Sequence, residues 1–411
     1  MKIFRRPNVL PLCLAAFFND IGSDMLFAFY PLFLVMILGV KDMKVLGLIE
    51  SLALLMGLIL RPWTGRLADL RGRIGFIRGG YLLLALSRMG QGLARIWWHL
   101  APPKMLYEIG RGLRNPPREA LLTESVPPQE RGLAFGMLQS MDTAGAILGP
   151  LLGLGIFYFL KGRIPLEGAY RAVFFCAALP TFISLWLTST RLREMRPFAE
   201  APRMEGERKG AFRSPVLLIF TALSCLFSLW AVSEDFMLVS GAQVLGVEAT
   251  QIGAVVLLYW FINVTFAPTA LVAGRLSDRF GRKPFIVASF LVLGALTSLF
   301  AVARTFWQVG LLFAAHGIHQ GLLSPSQTAL VADLAPEESR AEAMGTYSMW
   351  VGLFAIPAPF LFGLLWDAFG RYFPFLISGA SVALCGLLVA LLVKPPAQDH
   401  GDEGRWSSGP S

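Results

Sequence analysis

Residues 274–283 read Gly-Arg-Leu-Ser-Asp-Arg-Phe-Gly-Arg-Lys, and residues 65–74 read Gly-Arg-Leu-Ala-Asp-Leu-Arg-Gly-Arg-Ile. The two stretches lie 209 positions apart. The same ungapped shift carries Gly112-Leu113 onto Gly321-Leu322, Pro116 onto Pro325, Arg131 onto Arg340, Gly136 onto Gly345 and Pro150 onto Pro359. A constant offset through several helices and loops marks an internal repeat. The chain therefore reads as two homologous halves.

The composition says where those halves live. Of 411 residues, 55% are hydrophobic and only 15% are charged, and the mean hydropathy is +0.59. Soluble domains carry about 25% charged residues. This excludes a soluble enzyme, a nucleic-acid binder and a disordered chain. A bilayer-crossing helix needs about 20 apolar residues. Apolar runs bounded by turns and charges predict twelve spans, at 9–38, 46–64, 76–94, 100–121, 132–159, 169–189, 214–240, 251–273, 284–302, 308–332, 341–365 and 372–393. The expected organisation is a six-helix bundle over 1–190, a linker over 191–213, a second bundle over 214–394 and a tail over 395–411. An even number of spans puts both ends on one side.

The net charge of +9 follows the same topology. Basic residues cluster at Lys2, Arg5 and Arg6, in the first repeated loop, between Arg191 and Arg213, and in the second repeated loop. Loops rich in Lys and Arg stay in the cytoplasm. Both termini are thus expected there, with the protein in the inner or plasma membrane. The four cysteines sit in apolar runs without C-x-x-C spacing and read as buried hydrophobes. No nucleophile–base set, phosphate loop or metal motif points to an enzyme. No nucleic-acid partner or cofactor is expected.

Two six-helix halves, a basic central loop and the repeated G-x-x-x-D-x-x-G-R loop resemble the major facilitator superfamily, over nearly the whole chain. The second loop is complete, with Gly274, Asp278, Arg279, Gly281, Arg282 and Lys283. The first retains Gly65, Asp69, Gly72 and Arg73, while Leu70 and Ile74 replace basic residues. The resemblance implies an all-α fold of twelve transmembrane helices and cytoplasmic gating at these loops. Asp69 would latch near Arg340, and Asp278 near Arg131. The basic residues would also suit anionic lipid headgroups.

The fifth span carries Gly136, Gly145, Gly149, Pro150 and Gly153. Small residues at helical spacing let helices approach closely in lipid. A close, dry contact between the halves is expected here. The spacing resembles the antiporter motif of the superfamily's proton-coupled drug exporters.

Ionisable groups inside spans are functional candidates. The first span has Asn19, Asp20 and Asp24. The fourth has Glu108, Arg111 and Arg114, and Arg118 and Glu119 nearer its end. The fifth has Asp142, the seventh Glu234 and Asp235, and the tenth His316, His319 and Gln320. The resemblance implies that spans one, four, seven and ten line a central cavity. Under the 209-residue shift Arg111, Arg114 and Asp142 fall on Gln320, Leu323 and Val351. The fold alone does not demand charge there. Asp20 or Asp24 is expected to pair with Arg111 or Arg114. The region around Gly110–Leu121 also resembles a poorly characterised prokaryotic branch, but Tyr107 and Glu108 replace its Asp-Arg. Glu108 stands where proton-coupled members carry arginine.

Three transport chemistries remain open. The first is proton-driven export of a small organic compound, with Phe17, Phe27, Tyr30, Trp230, Tyr259 and Trp260 available for contact and the proton gradient as energy source. The second is transport of a divalent metal or its chelate, using His316 and His319 with Glu234 or Asp235. The third is organic-anion transport with Arg111 and Arg114 as a clamp. The expected partners are a small-molecule substrate, protons and membrane lipids. A monomer working by alternating access completes the expectation.

Overall fold

The computed structural model describes residues 2–195, 214–335 and 340–394. Most of the linker and all of the tail lie outside the described residues. Twelve helical rods run in chain order: α1 Val9–Ile37, α2 Met43–Arg71, α3 Arg73–Leu93, α4 Ala101–Glu124, α5 Arg131–Leu160 and α6 Leu166–Arg191 form the first half. The second half holds α7 Pro215–Val244, α8 Gly253–Phe280, α9 Lys283–Phe300, α10 Phe306–Leu334, α11 (Arg340–Ala355, then Ala358–Phe369) and α12 Tyr372–Leu392. Successive rods are antiparallel, so the start of α1 and the end of α12 share one face, here the terminal face. The opposite face is the far face.

Nine of these rods are long and apolar enough to cross a bilayer by composition alone. The other three are α3, α4 and α10, which carry Arg88, the α4 charges and the histidine pair. Arg88, Glu108, Arg114, Arg118, His316 and His319 are buried against protein, where the bilayer tolerates such groups. Their failure of the hydropathy test thus marks the interior.

The repeated loops close by the same device. Gly72 ends α2 with φ 89° and Gly281 ends α8 with φ 87°. Both are equivalent under the 209-residue shift, and only glycine adopts such angles without a Cβ clash. That is why one residue, Gly72, joins the first pair of helices and two, Gly281 and Arg282, join the second.

Three rods break at sequence-encoded points. The α7 helix stops at Trp230, runs extended through Ala231–Ser233 and restarts at Glu234. The Ser233 hydroxyl accepts the Asp235 amide hydrogen, a Ser N-cap with acidic residues in the first turn. The restart sets Glu234 and Asp235 side by side in the interior. The α11 helix breaks at 356–357, beside Pro357 and Pro359. The α1 helix loosens after Phe27 and ends in a π turn over Phe33–Ile37.

The halves meet near the far face. One apolar core runs through both, from Phe29, Phe33 and Tyr170 to Phe236, Phe290 and Phe375. A second core, with Val9, Leu12, Tyr81 and Leu122, belongs to the terminal side of the first half alone. Asp367 at the end of α11 accepts the amide hydrogens of Met43 at 2.7 Å and Lys44 at 2.9 Å. A carboxylate from one half thereby caps the positive N-terminus of α2 in the other. Lys161 Nζ donates to the Thr250 carbonyl at 2.6 Å, and the Tyr170 hydroxyl to Ala249 O at 2.9 Å. On the terminal side the halves part. A cavity of about 640 Å³ separates α5 from α8 and α10, lined by Gly136, Thr143, Phe266, Leu271 and Pro325.

The α5 glycines correct one expectation. Gly145, Gly149 and Gly153 lie against the backbone of α1 at Phe17, Ile21 and Met25. The close contact is therefore inside the first half, between α5 and α1. The spacing gave a smooth face, and α1 of the same half fills it. A Cβ on Gly149 would press on the Ile21 carbonyl and the Met25 amide, whereas one on Gly136 meets nothing. Gly149→Val is expected to destabilise the protein by about 1–3 kcal/mol. Gly136→Ala should stay within about 0.5 kcal/mol of wild type. Melting of the purified protein compares the two, and equal effects would remove the α1–α5 contact as the explanation.

Candidate functional site

The buried polar groups gather into three clusters between the helices. The first lies mid-span around α1. Asn19 Nδ2 donates to Asp20 Oδ1 at 2.8 Å, and Asp20 faces Asp142 of α5. Asp142 pairs with Arg118 of α4 at 3.5 Å. Asp24 turns the other way. Its Oδ1 accepts the Tyr259 hydroxyl hydrogen at 2.6 Å, and Tyr259 belongs to α8 in the second half. Phe27 stacks on the Tyr259 ring with centroids 4.6 Å apart.

The basic partner expected for the α1 carboxylates is different from the one found. Arg111 pairs with Glu108 at 2.8 Å, one turn away on α4. Arg114 donates to Asn115 at 3.0 Å and stacks over Tyr81 at 5.0 Å. Neither pairs with Asp20 or Asp24. The guanidinium that touches α1 is Arg88 of α3, fully buried. It donates to Asn19 O at 3.0 Å, Asn19 Oδ1 at 3.2 Å, Ser23 Oγ at 2.6 Å and Ala177 O at 3.2 Å. Gly22 leaves the room that this guanidinium occupies.

The second cluster joins α7 to α10. Glu234 accepts from Gln320 Nε2 and lies 3.3 Å from His316 Nε2. Gln320 also contacts His316 at 3.2 Å. His319, one turn from His316, faces α9 instead: its Nδ1 lies 2.7 Å from Ser289 Oγ and 2.9 Å from Ser289 O. The histidines thus diverge and do not form a half-site. Among the described residues no three His, Cys, Asp or Glu side chains converge to hold a metal ion.

The third cluster surrounds Lys104 of α4. Its Nζ lies 2.7 Å from Glu50 Oε1 of α2, 3.8 Å from Asp235 Oδ2 of α7 and 4.1 Å from the Tyr30 ring centroid. Lys104 and Glu50 were outside the sequence reading. Each is a lone charge in or beside an apolar run. These groups border a cavity of about 200 Å³ that also touches Phe27, Glu108 and Arg111.

The repeated loops hold their own halves together. Arg73 pairs with Glu124 of α4. Asp278 pairs with Arg282 four residues on, and Arg282 Nε lies 3.5 Å from Asp333 of α10. Lys283 Nζ donates to the Ala390 carbonyl of α12 at 2.6 Å, and Arg279 lies over Phe280. Gly274 lies beside Pro325 of α10. Asp278 is expected at Arg131 but is engaged in its own turn, because the halves are apart on the terminal side. The second expected latch lies outside the described side chains at Asp69 and Arg340, as does Gly65.

A repeated six-helix bundle with buried, oppositely charged groups at its central seam defines a multi-pass membrane transporter, sealed here on one face and parted on the other. The chain belongs to the Major Facilitator Superfamily, whose family model matches residues 12–268 and 236–410. It is 28% identical over 394 residues to the "Uncharacterized MFS-type transporter MJ1317" of Methanocaldococcus jannaschii, covering 94% of each chain. It is also 28% identical over 342 residues to the multidrug resistance protein MdtG of Enterobacter lignolyticus, covering 79% of this chain and 77% of that one. A bacterial homolog of the human lysosomal transporter Spinster, solved in an inward-facing and occupied conformation, superposes with a TM-score of 0.73 at 16% identity, over 93% of this chain and 95% of that one. The nucleoside transporter NupG superposes with a TM-score of 0.76 at 14% identity, over 94% and 100%. Its relatives are transporters, and it is a transporter rather than an enzyme.

Proposed function

We propose that this protein exports a small organic compound in exchange for protons, by alternating access, with both termini in the cytoplasm of a cell whose inner or plasma membrane holds it. It acts as a monomer and needs no cofactor beyond the proton gradient. The observation that carries the reading is the Asp24–Tyr259 contact. A carboxyl on α1 accepts a hydrogen bond from the opposite half, within the bilayer span. Rocking of the halves must break that contact. A deprotonated carboxylate is costly in such surroundings, so proton occupancy and the position of the halves are linked. The similarity to multidrug resistance proteins supports an organic cargo and the outward direction.

The test is transport in inverted vesicles acidified inside and carrying a pH probe. Adding an organic substrate outside is expected to make the interior more alkaline. A panel of drugs, divalent metals and organic anions separates the three chemistries. A response to metals alone, or substrate flux with no pH change, overturns the proposal.

The far-face seal gives a further expectation. Asp367→Ala removes the cap on α2 and should increase labelling, from the far face, of a single cysteine placed at Ser51. Ser51 Oγ accepts the Phe360 amide hydrogen across the seam at 3.2 Å. Unchanged labelling would mean that the cap does not hold the seal.

A further inference from the structure

The Lys104 cluster has more carboxylates than it has cations. The Glu50 and Asp235 carboxyl groups lie against each other beside one ammonium. The neighbouring Glu108 is already paired with Arg111, and Arg88 is spent on the α1 backbone. The side chains of Lys104, Glu50 and Asp235 are 15%, 13% and 4% exposed. Lys104 Nζ lies 2.7 Å from Glu50 Oε1, but at 3.8 Å it is beyond hydrogen-bond range of Asp235. Asp235 thus keeps acceptor capacity toward the cavity. Tyr30 adds the face of an aromatic ring to the ammonium. Two carboxylates and a ring face are the components by which proteins recognise organic ammonium groups.

We propose that this pocket is a binding site for an organic ammonium compound, and that Lys104 is a tethered competitor occupying it in the empty protein. The ligand's ammonium sits between Asp235, Glu50 and the Tyr30 ring. Its apolar remainder lies in the 200 Å³ cavity against Phe27, Leu26 and Leu54. An anion is excluded by the surplus carboxylate, and a bare metal finds no third ligand there.

The site also sits on the seam. Lys104, Glu50 and Tyr30 belong to the first half and Asp235 to the second, one to three turns beneath the far-face seal. A ligand ammonium seated there takes over from Lys104 the bridge between Asp235 and the first half. Calling the ligand cargo rests on the exporter reading; binding itself does not.

The experiment is calorimetric titration of the purified full chain in detergent with 2-phenylethylammonium, 2-phenylethanol and phenylacetate. The ammonium is expected to bind, with no heat from the alcohol or the acid. Glu50→Gln and Asp235→Asn should each weaken it at least tenfold. Lys104→Met, which removes the competitor, should tighten it at least tenfold. Binding of the alcohol as tightly as the ammonium, or weaker binding to Lys104→Met, overturns the proposal. The wild-type comparison of ammonium with alcohol needs no variant, so it decides even if a substitution prevents folding. Proton exchange driven by other cargo, with no ammonium binding, would sink this site alone. Ammonium binding without proton exchange would sink the antiport reading alone.

Discussion

Asp24→Asn is expected to abolish substrate-driven proton movement while leaving the protein folded and able to bind its cargo. Asparagine has nearly the same shape as aspartate and still offers an oxygen to the Tyr259 hydroxyl, now 2.6 Å away. The contact between the halves survives as a neutral hydrogen bond, so stability should change by about 1 kcal/mol or less. What disappears is the ability to take up and release a proton. In the acidified inverted vesicles, alkalinisation on adding substrate should fall to the level of vesicles lacking the protein. Tyr259→Phe is the complementary change. It removes the donor from the other half but keeps the carboxyl, so proton movement should persist while the balance between the two faces shifts. Preserved proton movement in Asp24→Asn assigns the coupling elsewhere, first to the Glu234–His316 pair.

The fold was legible because it repeats. The 209-residue offset, the apolar runs and the two glycine turns each led to the same twelve rods, and Gly72 and Gly281 adopt near-identical positive φ angles. The candidate site was legible only in part. Charges in α1, α4, α7 and α10 stand out in an apolar sequence, but a sequence does not state partners. Arg111 and Arg114 have shorter routes to Glu108 and to Asn115 and Tyr81 than to the α1 carboxylates. The α5 glycine face specifies a close neighbour without saying which helix supplies it. Arg88, Glu50 and Lys104 are isolated charges, mid-helix or at a helix entrance, and their sequence neighbours do not disclose their partners. The latch at Asp278 depends on which face is closed, and that is a property of the conformation.

Arg88→Leu should be among the most damaging substitutions in the first half. The guanidinium has no exposure, and its two terminal nitrogens bond to Asn19 O, Asn19 Oδ1, Ser23 Oγ and Ala177 O. Two of these acceptors are main-chain carbonyls inside helices, which keep their own helical bond but lose the charged donor. Each hydrogen bond from a charged donor contributes about 1.5–3 kcal/mol. The loss should therefore reach at least about 3 kcal/mol, read as a lower melting temperature of the purified protein. Arg88→Lys keeps the charge but offers a single compact ammonium in place of a planar fork. It can serve α1 or α6 but not both, so it should recover only part of the loss. Adding Asp24→Asn to Arg88→Leu separates two explanations. If Arg88 mattered as a counter-charge to the α1 carboxylates, neutralising Asp24 would restore much of the stability. The geometry instead ties Arg88 to backbone oxygens of α1 and α6, and its bonds do not include Asp24. The two effects are accordingly expected to add to within about 0.5 kcal/mol. A recovery several times larger would make Arg88 a charge partner of Asp24 and place it within the proton pathway.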